Sequence, residues 1–232
     1  MTSSEIKPTP VTTLDPSPTD TARVTESTSP TESTSPTEST SPTAAAVPPS
    51  HRLASDDGRW LISFHWRNDR YDHVIATAGG VKNESLLRSV NGSNDEDWPA
   101  SPAIQQLSTE TIDGKPTVLG VGCCGTSHFS VSVQNHPDPA GKPAVRFDWA
   151  VRLSKELDEA AIAAIEGFWL GTTYKAATRK TPDAPRKSWR LECDETAVLE
   201  NIRDGEASLH RLRPKSVADQ RTIQWSYWIT AK

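Results

Sequence analysis

Apolar and polar residues alternate with a period of two over several stretches in the second half-and-more of this chain. Within residues 59–66 (RWLISFHW), Trp60, Ile62, Phe64 and Trp66 share one face, while Ser63 and His65 share the other. Residues 127–134 (SHFSVSVQ) set Phe129, Val131 and Val133 against His128, Ser130 and Ser132. The clearest case is residues 145–153 (VRFDWAVRL). There Val145, Phe147, Trp149, Val151 and Leu153 alternate with Arg146, Asp148, Ala150 and Arg152. Near the C-terminus, Ile223, Trp225, Tyr227 and Ile229 line up in the same way. This period marks strands with one face on a core and one towards solvent, as in antiparallel sheets.

Turn residues divide these runs. Asp113-Gly114 separates residues 105–112 from 117–124, and Asp204-Gly205 separates 196–203 from 206–213; both pairs favour tight hairpins. Residues 135–143 (NHPDPAGKP) form a longer connection, and residues 79–103 and 178–187 are loop-rich. One stretch has helical character: residues 155–166, with Ser154 as N-cap, Gly167 at the end, and a stripe of Leu157, Ala161, Ala164 and Ile165. The pattern predicts an all-β, mainly antiparallel domain: a β-sandwich or open barrel-like meander with a single α-helix. No βαβ rhythm is present, which argues against a dinucleotide-binding fold.

Composition changes the picture at the N-terminus. The first fifty residues contain no aromatic residue or cysteine, and T-E-S-T-S-P runs three times between Thr25 and Pro42. Such a segment has too little apolar surface to offset the entropy of ordering it, so residues 1–55 are expected to be a disordered tail and 56–232 one domain. Two basic and six acidic residues in the first fifty account for four of the chain's five net negative charges. The rest is almost neutral and has no basic run, so no nucleic-acid or anionic membrane partner is expected. No long apolar segment predicts a membrane span, and no apolar run follows Met1. Three cysteines, two of them adjacent, do not form a disulfide framework; a reducing, cytoplasmic setting is the expectation.

Residues 118–134 (VLGVGCCGTSHFSVSVQ) concentrate the candidate chemistry. Gly120 to Ser127 differs from a phosphate-binding loop by Thr126, which stands where the lysine must be, and a strand rather than a helix follows. Cys124 lacks a neighbouring cation in sequence to make it a nucleophile, and adjacent strand residues such as Cys123 and Cys124 point to opposite faces, away from a shared metal. The expected structure is a strand, a tight turn and a strand, with the glycines serving close backbone packing. No cofactor is implied.

A polar cluster is the alternative. If residues 127–134 pair with 144–153, Val133 opposite Val145 places Ser130 opposite Asp148; a slip of two places His128 there instead. Either register gathers His128, Ser130, Asp148 and Arg146, the material of acid–base or nucleophilic catalysis in a hydrolase. His65 and His73 are a weaker pair that would need an acidic residue to hold a metal. Trp228 is out of phase with Trp225 and Tyr227, Trp98 sits in an acidic loop before Pro99, and Trp66 ends its strand; exposed rings of this kind stack on sugars or anchor proteins. The leading expectation is therefore a non-catalytic binding or interaction module with an aromatic surface for a protein, small-molecule or glycan partner. The hydrolase reading stands second.

Overall fold

Thirteen strands are present in the computed structural model, which describes residues 47–78, 85–92, 99–154, 157–160, 162–163, 170–177, 189–205, 207–217 and 221–231. In chain order they are β1 His51–Ala54, β2 Trp60–Arg67, β3 Arg70–Thr77, β4 Ser85–Ser89, β5 Gln106–Ile112, β6 Lys115–Cys124 and β7 Ser127–Asn135. They continue with β8 Ala144–Arg152, β9 Thr172–Ala176, β10 Trp189–Cys193, β11 Ala197–Asp204, β12 Ala207–Pro214 and β13 Thr222–Ala231. All pairings are antiparallel. One sheet of seven runs β1-β2-β3-β4-β9-β12-β11, and one of six runs β10-β13-β8-β7-β6-β5. This is the sandwich-like all-β architecture that the alternation predicts.

The inner faces meet as expected. Trp60, Ile62 and Phe64 from β2 and Ile75 from β3 are buried, as are Phe129, Val131, Val133, Phe147, Trp149 and Val151 from β7 and β8. On β13, Ile223, Trp225, Tyr227 and Ile229 are fully buried. Two parallel ring stacks join β8 to β13: Trp149 on Trp225 at 6.0 Å, and Phe147 on Tyr227 at 5.1 Å. Such pairs add to the area term of burial.

Two findings depart from the sequence expectation. β1 begins at His51 and pairs with β2, so ordered structure starts inside the stretch assigned to the tail; only Leu53 is a buried apolar residue there, too weak a signal to read. β4 lies in a stretch expected to be loop, where it pairs with β3 and β9. Of the helix expected over 155–166, residues 159, 160, 162 and 163 are described and are helical, and the Ile162 N–H donates to the Asp158 carbonyl at 2.9 Å. Residues 155–156, 161 and 164–166, like residues 1–46, lie outside the described residues. Among the described residues no helix is long and apolar enough to cross a membrane.

The tight turns follow their sequences. Asp113 and Gly114 both have positive φ (50° and 75°), as a type I′ turn requires, and join Ile112 to Lys115. Cys124 pairs with Ser127 across Gly125-Thr126, so the glycine-cysteine stretch is indeed a strand, turn and strand.

A connecting segment explains its glycines. Residues 99–105 cross from one sheet to the other: the Thr173 N–H donates to the Ala100 carbonyl, the Tyr71 N–H to Ile104, and the Gln105 N–H to Val121. Ala103 and Ile104 are buried where this segment lies against β6. A Cβ on Gly122 would sit 2.0 Å from the Ala103 carbonyl oxygen, whereas one on Gly120 would meet only side-chain carbons of Ile104, Leu107 and Val131 at 2.8 Å. Backbone cannot rotate aside as a side chain can. Gly122→Ala should therefore destabilise by about 2–3 kcal/mol, and Gly120→Ala by less. Urea unfolding of both variants checks the order; equal losses would mean that the crossing segment yields easily.

Candidate functional site

The register of β7 against β8 decides the fate of the polar cluster. Val133 pairs with Phe147, Ser132 with Asp148, Ser130 with Ala150 and His128 with Arg152. The strands, their pairing and their face parity are as predicted, but the register is neither of the two expected. It is displaced by two residues in the direction opposite to the slip considered. Asp138 organises the connecting loop: its Oδ1 accepts from the Ala140 and Lys142 amides at 2.9 and 2.8 Å, and its Oδ2 from the Thr230 hydroxyl at 3.3 Å.

This register separates the expected catalytic residues. His128 and Asp148 share the outer face, yet lie four residue steps apart along the sheet, about 13 Å at strand rise. Asp148 instead accepts from Ser226 Oγ at 2.7 Å and Arg146 Nε at 2.8 Å. Arg146 also reaches towards Asp194 and lies 4.9 Å from the centre of the Trp228 ring. Arg146 and Asp148 thus belong to a surface ion-pair and cation–π cluster. No imidazole orients on that carboxylate.

The tryptophan surface changes as well. Trp228 does leave the core phase of β13, but it is only 5 % exposed, with Arg146 above it. The expectation of an open ring there is corrected by the long guanidinium side chain, which occupies the face that a ligand would use. Trp66 is half-buried and meets Tyr71 edge-on at 5.2 Å. Trp98 lies outside the described residues.

His65 and His73 sit on paired strands but on opposite faces, with His65 across from Asp72 and His73 across from Phe64. They do not converge on a metal, and among the described residues no group of three or more His, Cys, Asp or Glu is placed to hold one. His73 belongs to the core. Its Nε2 lies 2.7 Å from the Tyr174 hydroxyl, Tyr174 lies 2.6 Å from the Tyr227 hydroxyl, and Trp149 Nε1 donates to Tyr227 at 3.1 Å. Donors running from Trp149 through Tyr227 and Tyr174 end on His73 Nε2, which then accepts as a neutral imidazole. Burial pushes the His73 pKa down to about 3 and holds both tyrosine phenols above their ordinary range. This chain crosses between the sheets with every hydroxyl satisfied, and its place is structural because no group in it reaches solvent.

A different group assembles on the outer face of the six-stranded sheet. Cys123, His128, Arg152 and Thr222 are successive cross-strand partners on β6, β7, β8 and β13. Val121, Ser130, Ala150 and Gln224 form the next row. Ser130 and Ala150 are small, so the surface dips between the longer His128, Arg152 and Gln106. The result is a depression of about 510 Å³ with a mainly apolar lining. Val121 is 51 % exposed within it. At one wall the Gln105 amide side chain clasps the Cys123 backbone, accepting from its N–H at 2.7 Å and donating to its carbonyl at 3.0 Å. A second depression of about 510 Å³, lined by Glu195, Thr196, Lys215, Ser216 and Gln224, meets the first at Thr222.

Sequence left open which of the adjacent cysteines faces inward; Cys124 is buried and Cys123 is the exposed one. Residues 118–124 are apolar or glycine on both faces, so the phase of β6 carried no signal. Its pairing with His128 through the two-residue turn would have supplied the phase.

Fold and surface together define an antiparallel, sandwich-like all-β domain with a shallow, mainly apolar depression on its six-stranded sheet. Compared with known proteins, the chain matches no family model, no curated protein and no solved structure.

Proposed function

We propose that this domain is a non-catalytic binding module for a small molecule, and that its ligand surface is the outer face of β6, β7 and β8 around His128, Ser130 and Arg152. The observation that carries this reading is the depression itself. Its volume falls in the range of small-molecule sites, and a few polar groups rim an apolar floor. A glycan reading would need open, coplanar rings, and Trp228 beneath Arg146 does not offer one. A hydrolase reading would need His128 beside Asp148, and the register keeps them apart.

A fragment screen followed by amide chemical-shift mapping on the full chain tests this. Hits should perturb residues 121–130, 150–152 and 222 together. Hits gathering on the seven-stranded sheet would sink the assignment.

A further inference from the structure

The depression has a one-sided charge. Among its lining residues the charged side chain is Arg152, with the His128 imidazole as its cross-strand neighbour and no carboxylate among them. Many other guanidinium groups on the two sheets are matched: Arg67 and Arg88 hold Asp72, Arg146 holds Asp148, Arg190 meets Glu192, and Arg213 holds Glu200, while the exposed Arg52 and Arg203 on the edge strands β1 and β11 have no carboxylate partner among the described residues. Arg152 has no carboxylate partner among the described residues. Its fork of donors stands at the edge of an apolar floor made by Val121 and Ala150.

Resting on the reading of this depression as a ligand site, we propose that its ligand is a small amphipathic carboxylate. The acid group meets Arg152 in a bidentate contact, and the apolar body covers Val121 and Ala150. Guanidinium is the side chain best shaped for planar carboxylate recognition. His128 contributes an N–H from the neighbouring strand in the tautomer that places the proton on the facing nitrogen. Ser130 and Thr222 supply hydroxyls at the floor and rim. An uncharged analogue of the same shape would keep the apolar contacts and lose the charge-assisted pair.

The test uses phenylacetate and its neutral counterpart phenylacetamide as probes, titrated into the full-length chain and followed by amide shifts at fixed ionic strength. Phenylacetate should saturate shifts along β6–β8 with a millimolar Kd, and phenylacetamide should bind about tenfold more weakly. Arg152→Gln should weaken phenylacetate about tenfold and leave phenylacetamide unchanged. Arg152 is exposed, so an unchanged melting temperature will show that this variant folds. His128→Gln, which keeps an N–H donor, should retain most of the affinity. Equal binding of the two probes, or indifference to Arg152→Gln, would overturn the carboxylate assignment while leaving the depression as a site. Failure of both probes to shift any residue of β6–β8 would overturn both readings.

Discussion

Trp149→Ala should destabilise the domain by about 3–5 kcal/mol, enough to unfold a protein of ordinary stability. The ring is 3 % exposed and stacks on Trp225, and its indole N–H satisfies the Tyr227 hydroxyl. Truncation leaves a cavity between the sheets and removes the first donor of the buried chain. Asp148→Asn, one position away, should cost about 1 kcal/mol or less, because the side chain is a third exposed and its ion pair is screened by water. Urea unfolding of both variants reads the contrast directly. Similar losses for the two would contradict the face assignment of β8.

The second large effect is a dependence on pH. Folded His73 stays neutral down to about pH 3, whereas an unfolded histidine takes up a proton near pH 6.5. Above pH 6.5 the imidazole is neutral in both states and its stabilising contacts are fully present. Below it the unfolded chain binds a proton that the folded chain refuses, so stability falls by roughly 1.4 kcal/mol per pH unit until about pH 3. The total is roughly 4–5 kcal/mol. His73→Phe places an apolar ring against Phe64 and Phe147, and Tyr174 retains its bond to Tyr227. Denaturant titrations at pH 7 and pH 4 should show the native chain losing about 3 kcal/mol more than the variant. Carboxylates contribute equally to both, so parallel losses would show that His73 does not set the acid sensitivity.

Sequence showed the strands with one buried face and, through Asp113-Gly114 and Asp204-Gly205, the β5–β6 and β11–β12 hairpins. β2, β7, β8 and β13 alternate because their outer faces meet water or polar neighbours. β3 does not alternate: Arg70 through Ala76 are buried on both faces, so Asp72 and His73 gave no phase. β9 (TTYKA) is short and Thr-rich, and only its pairing with β4 and β12 makes it a strand. The face shared by His128 and Asp148 was legible because parity is fixed by the apolar set. Their separation was not, since a slip of two preserves that parity. The eight-residue connection between β7 and β8 fits more than one register, and the Asp138 turn selects among them through contacts with Thr230, distant in sequence. The depression was hidden for the same reason: it depends on Ser130 and Ala150 meeting across strands.

The order of strands has a consequence for synthesis. β13, latest in the chain, lies inside its sheet between β10 and β8, and β4 waits for β9 across the whole of β5–β8. A nascent chain therefore carries β1–β4 with Trp60, Ile62, Phe64 and Ile75 unsheltered until the opposing layer emerges. The six-stranded sheet remains in two pieces until residues 222–231 are released. No N-terminal portion can reach the native arrangement early. Folding therefore awaits β13 and is governed by contacts distant in sequence, which slows it.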